Sequence, residues 1–308
     1  MSATPVSPDR RAGTTAPDAP DAAAAAEPLA APDASAAARA SAAATSSANV
    51  PLRWRGVWQR RLLVAPGIHD TTTAVRWLQT ATQHADLRVP AASRPLVHAA
   101  GAAAREGGEA GQAARHAAWR QLAAQQGFFG RTERRVVGDR EQCAWHREHD
   151  FQPPPASPDA GWLAFDGADI LIETGVHADY LEVWHRLPGS TGRHAVLARG
   201  PHDTERLLMA GEHLAWVRAR PRPLPACPPG TPLADLLEHA CADERAAALD
   251  MPLVFGRWDG TTWHIDHASP PQWEGRRVPL QVSCEGGRVT VISPTLPSAG
   301  WRVVEGSV

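Results

Sequence analysis

The chain has 308 residues, a formal net charge of −2 and an isoelectric point of about 6.7. A charge balance this close to neutral gives no electrostatic reason to expect a nucleic acid or an anionic membrane as a partner. All 31 basic residues are arginines, which excludes a Schiff-base lysine, a P-loop lysine and a lysine general base.

Cysteine content and hydropathy indicate the compartment. Four cysteines are few for this length and none stands in a C-x-x-C pair, which is typical of free thiols in a reducing compartment. No apolar run approaches the ~20 residues that span a bilayer, and no apolar segment follows Arg10 and Arg11 as a secretion signal requires. The sequence therefore predicts a cytoplasmic protein without a membrane partner.

The N-terminal segment differs from the rest of the chain. Residues 1–50 are mainly Ala, Pro, Ser, Thr and Asp and include no aromatic residue. Such a composition cannot bury enough apolar surface to offset the entropy of ordering, so we predict a disordered tail. The first of the 12 tryptophans is Trp54, and the folded part is expected to begin near Pro51.

Beyond this tail the pattern is mostly β. Short runs rich in Val, Ile, Trp and Thr are separated by Gly, Pro and Asp turns, and Asp166-Gly167 and Asp259-Gly260 are hairpin signals. The predicted strands are 53–64, 72–80, 84–90, 128–137, 143–151, 161–165, 169–175, 179–187, 194–200, 205–211, 213–221, 251–258, 261–266, 278–284, 288–293 and 301–305.

Two helical insertions interrupt the strands. The first, residues 91–127, begins as a mobile stretch and continues as a short helix that ends at Gly127. The second is a helix over 231–249, with Thr231 as its cap and Pro232 at its first position. Many short strands with so few helices predict an all-β barrel or sandwich.

The two halves of the chain, residues 51–190 and 191–308, show the same pattern of many short strands with one helical insertion. They form either one large barrel with a β extension or two barrels, and the sequence leaves both arrangements open.

The stretch CAWHREHDF, residues 143–151, concentrates polar chemistry. As a strand it has two faces: Cys143, Trp145, Arg147, His149 and Phe151 on one, and Ala144, His146, Glu148, Asp150 and Gln152 on the other. Neither face is purely apolar. A barrel that holds a polar or amphipathic ligand can carry paired charges inside, and a strand with one solvated face is the alternative. Because His146 and His149 would point to opposite faces, no metal site is predicted.

A second polar segment, residues 171–186, places Glu173 and Glu182 on a predicted hairpin. The simplest interpretation is a set of cross-strand ion pairs near the rim, with Arg88 among the partners. If one of these glutamates is buried near Asp150, the pKa values of the carboxyls separate and one can act as a general acid.

Signals for a nucleophile or a bound cofactor are weak. No G-x-S-x-G, G-x-G-x-x-G or Walker sequence occurs, and neither Cys143 nor Cys227 has an evident base. We therefore predict no cofactor.

Four short motifs together resemble calycin-type, lipocalin-like barrels. They are R-G-x-W at 55–58, W-L-Q-T at 77–80, I-E-T-G at 172–175 and Y-L-E-V-W at 180–184. The sequence is similar to the fungal Hri family, whose members pair two lipocalin-like barrels and carry a comparable E-x-G…E-x-W segment. Here that segment corresponds to Glu173-Thr174-Gly175 and Glu182-Val183-Trp184. The resemblance implies a fold and not a reaction.

The leading hypothesis is a barrel that binds a small, partly apolar ligand in a tryptophan-lined pocket. The predicted ligand-contacting side chains are Trp77, Gln79, Arg88, His146, Arg147, Asp150, Gln152, Glu173, Glu182 and Trp184. Strand register decides which of them face inward.

Three other functions stay open. A cofactor-free hydratase, isomerase or lyase would use His146, Asp150, Glu173 or Glu182 as acid–base groups. A strand histidine such as His213 could hold haem. An interaction protein would act through the flexible tail. The oligomeric state is not decided by the sequence.

Overall fold

Nineteen strands and three α-helices account for most of the residues that the computed structural model describes, which are 45–47, 49–94, 108–285 and 288–307. The strands of the first sheet are β1 (Thr45–Ser47), β2 (Gly56–Ala65), β3 (Ile68–Asp70), β4 (Ala74–Gln79), β5 (Gln83–Val89), β6 (Gln126–Val137), β7 (Arg140–Asp150), β8 (Asp159–Asp166), β9 (Ile170–Gly175) and β10 (Leu181–Arg186).

The remaining elements follow in the second half of the chain or connect strands. The strands are β11 (His194–Arg199), β12 (Glu205–Ala210), β13 (His213–Arg218), β14 (Leu253–Trp258), β15 (Thr262–Ala268), β16 (Arg277–Pro279), β17 (Gln281–Glu285), β18 (Arg288–Ile292) and β19 (Arg302–Gly306). The helices are α1 (Gly108–Ala123), α2 (Leu233–Leu236) and α3 (Ala242–Leu249).

Eight strands of the first sheet close into an antiparallel barrel. Each strand from β4 to β9 pairs with the next one in the chain, and β2 pairs with both β4 and β10. Closure removes the sheet edges, while β1 and β3 lie outside the ring against β6 and β2. The prediction of an all-β barrel with few helices is therefore confirmed.

Tryptophans fill the middle of the barrel. Trp58, Trp77, Trp145 and Trp184 come from four different strands, and the centroid of the Trp77 ring lies 5.5 to 6.4 Å from the other three. Trp54, in a short 3-10 turn before β2, is fully buried at one end of this cluster. We call this end of the barrel the Trp54 end and the opposite one the Asp150 end. These five tryptophans thus form the centre of the barrel core.

The second half of the chain forms a seven-stranded antiparallel sheet and a separate hairpin. The sheet order is β16-β15-β14-β13-β12-β11-β19, and β17 pairs with β18. One face of this sheet packs on the outer wall of the barrel and on the helices through Leu208, Val217, Leu253 and Phe255. The other face has its own core around Trp263.

Four details of the prediction are wrong, two in the second helical insertion and two nearer the N-terminus. The helix predicted over 231–249 is two helices, because Cys241 adopts an extended backbone and its N–H donates to Glu244, which starts α3 anew. The hydroxyl of Thr231 donates to the Pro228 carbonyl and caps nothing.

The first helix ends at Ala123, and Gly127 belongs to β6, where a Cβ atom would lie 3.1 Å from the Asp86 carbonyl oxygen. At the other end of the predicted tail, Thr45–Ser47 pairs with β6 as a strand. The rest of that tail, residues 1–44, and the stretch 95–107 of the first insertion lie outside the described residues.

Candidate functional site

The Asp150 end of the barrel carries a charged inner wall. Because opposed residues of paired strands share a face, the register places on this wall Arg60, Arg88, Arg147, Asp86, Asp150, Asp159, Glu173 and Glu182. Charges so deep in a barrel need partners to offset the loss of water.

Glu182 lies at the centre of one group of ion pairs. Its Oε1 atom is 2.6 Å from Nη1 of Arg60 and 3.9 Å from Nη1 of Arg88. Arg60 also contacts Asp70 at 2.8 Å, and Arg88 contacts Asp86 at 2.9 Å. Burial raises the pKa of Asp86 although Arg88 opposes the change. The glutamate is therefore held as one member of a paired network.

Glu173 lies beside this network, and within the described part of the chain it has no ion pair with an arginine. It stands directly opposite Glu182, and its Oε1 atom accepts a hydrogen bond from the hydroxyl of Tyr180 at 2.7 Å. Burial, and next the nearby Glu182 carboxylate, raise the pKa of Glu173 well above its usual range. The Glu173 carboxyl can thus keep its proton in this buried place beside Glu182.

A bulge in β7 decides which polar residues face inward. Arg147 pairs with Gly130, whereas His149 pairs with Phe129, so residue 148 is an extra one on this strand. Arg147 and Asp150 consequently meet on the inner side, with Nη1 and Oδ2 2.8 Å apart.

The same bulge overturns the predicted faces of this strand. His146 points outward, with 54% of its side chain exposed and Nε2 2.9 Å from Glu133. His149 also lies on the outer face, where its ring packs against Phe129 at 4.7 Å. Placing the two histidines on opposite faces was wrong, and so was placing His146 in a pocket with Asp150.

A cavity of about 440 Å³ opens where β7 leaves the barrel at the Asp150 end. Its floor includes Arg147, Asp150 and Gln152, three of the predicted ligand-contacting residues. Residues 153–155 and 224–227, from two proline-rich segments, form its walls, and the Gly230 N–H donates to the Pro154 carbonyl at 2.8 Å.

Arg220 and Cys227 also line this cavity, and the sequence did not assign them to a site. Arg220 donates to the carbonyl oxygens of Asp150 and Phe151, which fixes the strand end. Cys227 lies in a proline-rich segment, and this composition is the one feature of the sequence that indicated an exposed segment here.

The other predicted residues lie elsewhere. Trp77 and Trp184 belong to the tryptophan core, and Gln79 accepts hydrogen bonds from Trp77 and Thr132 deep in the barrel. Gln152 faces the cavity and also donates to the carbonyl oxygens of Ala123 and Gln125, tying α1 to the barrel.

His213 and Cys143, one of the two cysteines weighed as nucleophiles, lie away from the cavity at the Asp150 end. His213 lines a separate cavity of about 680 Å³, and its Nε2 lies 3.0 Å from the Pro188 carbonyl oxygen. Cys143 is fully buried, and burial raises the pKa of its thiol well above the usual range. Within the described ranges no group of three or more His, Cys, Asp or Glu is arranged to hold a metal ion.

The geometry defines a class: a closed, eight-stranded antiparallel barrel with an aromatic core, consistent with the calycin-type fold. Comparison with protein-family models finds no match for this chain. Comparisons with curated proteins and with solved structures find none either. Among the helices of the described residues, none is long and apolar enough to cross a membrane.

Proposed function

We propose that the protein binds a small, partly apolar molecule in the cavity at the Asp150 end of the barrel. The observation that carries this proposal is the meeting of Arg147 and Asp150 at the floor of a cavity walled by two proline-rich segments. Ligand sites typically combine apolar walls with a few convergent polar groups.

The chemistry of the wall suggests how a ligand would lie. Leu224, Ala226 and the prolines offer apolar contact. Arg220, whose hydrogen bonds go to main-chain oxygens, offers a guanidinium group that suits an anionic or strongly polar head group. Arg147 is already oriented by Asp150 and Asp159, so little side-chain freedom is lost on binding.

The first test is native mass spectrometry of the purified full chain, compared with the denatured mass, to detect a co-purifying ligand. A titration with 8-anilinonaphthalene-1-sulfonate, which has apolar rings and an anionic head, then probes the site by fluorescence. Ala226→Trp fills the mouth and should weaken saturable binding by about tenfold or more, roughly 1.4 kcal/mol. Ala117→Trp, on an exposed face of α1, is the matched control. Equal binding by both variants would refute the proposal.

A second candidate function is acid–base catalysis without a cofactor. It is favoured by one observation, because Asp150 lines the cavity and burial raises the pKa of its carboxyl. The test is an incubation in D₂O with small carbonyl compounds that carry an acidic C–H bond. Deuterium uptake that Asp150→Asn eliminates supports catalysis, and uptake that the variant retains excludes Asp150 as the base.

The setting of this proposed function is a reducing compartment such as the cytoplasm. All four cysteines are free, which is compatible with that compartment. The motif likeness to the fungal Hri family, through Glu173 and Glu182, adds an expectation about fold and none about the reaction.

A further inference from the structure

A second cavity, of about 500 Å³, lies at the Trp54 end of the barrel. It is formed where the start of β2 meets the loop that leads to the second sheet. Arg53, Arg55 and Arg186 line it from the barrel side, and Thr191 and His194 line it from the loop. None of the residues predicted to contact a ligand lies in it.

The guanidinium of Arg55 has uncharged partners. Its Nε and Nη2 atoms donate to the Val50 carbonyl at 3.2 and 3.1 Å, and Nη1 lies 2.6 Å from Nε2 of His194. The other ring nitrogen of His194 lies 3.2 Å from the Gly192 carbonyl oxygen. Nδ1–H of a neutral imidazole therefore donates to Gly192 while Nε2 accepts from Arg55. These contacts orient the arginine, and no carboxylate among the described residues is paired with it.

Arg186 is also poorly neutralised. It donates to the main-chain oxygens of Arg53, Arg55 and Ala168, which are dipoles and not charges. Its carboxylate contact is Asp169 at 3.1 Å, and 71% of that side chain is exposed to solvent. Burial lowers the pKa of Arg186, as expected for a cation that lacks a close buried anion.

The third arginine and the loop complete the site. Arg53 contacts Glu141 at 2.5 Å, so two arginines are paired with carboxylates and the cavity keeps an excess of positive charge. The loop adds a Ser190-Thr191-Gly192 segment, whose main-chain groups suit phosphate oxygens. Leu52, 73% exposed, offers an apolar rim.

We propose that the cavity at the Trp54 end binds a phosphate-bearing small molecule, with Arg55 and Arg186 facing the phosphate and Leu52 contacting the body of the ligand. The planar guanidinium group of an arginine can donate two parallel hydrogen bonds to a phosphate. The cost of removing its charge from water is offset when an anion lies beside it. This site is separate from the cavity at the Asp150 end, and its test does not depend on that one.

Isothermal titration of the full chain with inorganic phosphate and with phenyl phosphate tests the proposal, with ionic strength held constant by sodium chloride. Both anions should bind saturably, and phenyl phosphate should bind more tightly because its ring contacts the apolar rim. Benzoate, which has the ring and a single negative charge, should bind at least about tenfold more weakly than phenyl phosphate, since it offers fewer charge-assisted hydrogen bonds. Absence of saturable heat with both phosphates would overturn the proposal.

A pair of variants at one exposed position assigns the binding to this cavity. Thr191→Glu places a carboxylate at the mouth and should lower phosphate affinity by about tenfold or more, while Thr191→Gln adds similar bulk without charge and should retain binding. Arg55→Gln should also abolish binding, and Arg302→Gln, in an exposed pair with Asp203, is its control. Binding unchanged in Thr191→Glu would locate the anion elsewhere and overturn the assignment.

Discussion

The guanidinium of Arg186 lies over the indole ring of Trp58, with its central carbon 4.3 Å from the ring centroid. The two residues stand directly opposite each other in the pairing of β10 with β2, which is the pairing that closes the barrel. A cation over an aromatic face and three main-chain acceptors thus lock the last barrel strand onto the first.

Replacing Arg186 by lysine should lower the free energy of unfolding by about 2 kcal/mol or more, because a lysine cannot reach the same acceptors with a planar fork. Urea denaturation followed by tryptophan fluorescence measures this loss. Arg302→Lys, in an exposed pair, should change stability by less than about 0.5 kcal/mol. Equal losses in the two variants would contradict the assigned role.

Gly56→Ala should destabilise the same seam. Gly56 has φ +134°, and a Cβ atom there would lie 3.0 Å from the Ser190 hydroxyl oxygen and 3.2 Å from Nη1 of Arg186. Backbone strain and crowding together predict a loss of about 1 to 3 kcal/mol. Gly138→Ala, at φ +64° with open space around it, isolates the backbone effect and should cost less. A smaller loss at position 56 than at 138 would count against this account.

Truncating Glu182 should be the most damaging change at the Asp150 end. Glu182→Ala leaves Arg60 and Arg88 without their shared carboxylate in a buried place, which predicts a loss of about 3 to 5 kcal/mol. Glu285→Ala, on an exposed strand, is the control and should fall within about 0.5 kcal/mol of the wild type. Thermal and urea denaturation at neutral pH measure both, and a near-neutral Glu182→Ala would show that the network is dispensable.

The raised pKa of Glu173 predicts in which direction the free energy of unfolding changes with pH. Its pKa is raised above the usual 4.5 in the folded chain, so the folded state holds a proton that the unfolded state releases. The free energy of unfolding should therefore fall as pH rises above about 4.5. Glu173→Gln removes this dependence, and the gain in stability over the wild type should grow with pH and vanish in acid. Urea denaturation from pH 4 to 8 measures it, and a pH-independent difference would reject the assignment.

Glu305 should protect the turn between β4 and β5. Its carboxylate accepts hydrogen bonds from the amides of Ala81 and Thr82 at 2.5 and 2.8 Å and from the hydroxyls of Thr80 and Thr82. Glu305→Ala should cost about 2 kcal/mol and speed hydrogen exchange at the two amides. The amide of Thr261, bound by Asp259 within its own turn, should exchange as before. Unchanged exchange at Ala81 and Thr82 would contradict the contact.

Much of the strand pattern could be predicted because it is local. Alternating apolar residues and Asp-Gly turns such as Asp166-Gly167 act over a few residues, and the strands around that turn formed as expected. The inner face of β7 could not be predicted, because the extra residue at 148 reverses the alternation of inward-facing and outward-facing side chains. No residue type in this stretch indicates a bulge.

Only some residues of the candidate cavity could be predicted, because the others come from a distant part of the sequence. Arg147, Asp150 and Gln152 are neighbours in the chain and were singled out together. The wall formed by residues 224–227 is distant in sequence, and packing of the second sheet on the barrel brings it to the cavity.

The pairing of β11 with β19 has a consequence for synthesis on the ribosome. The barrel strands emerge in the order in which they pair, so the barrel can close as soon as β10 is available. The second edge of β11 stays uncovered while five further strands of its sheet and a hairpin are synthesised, because its partner β19 comes last. During that interval an apolar strand with unpaired backbone groups stands exposed, so the nascent chain should need chaperone protection at this strand and not at the barrel.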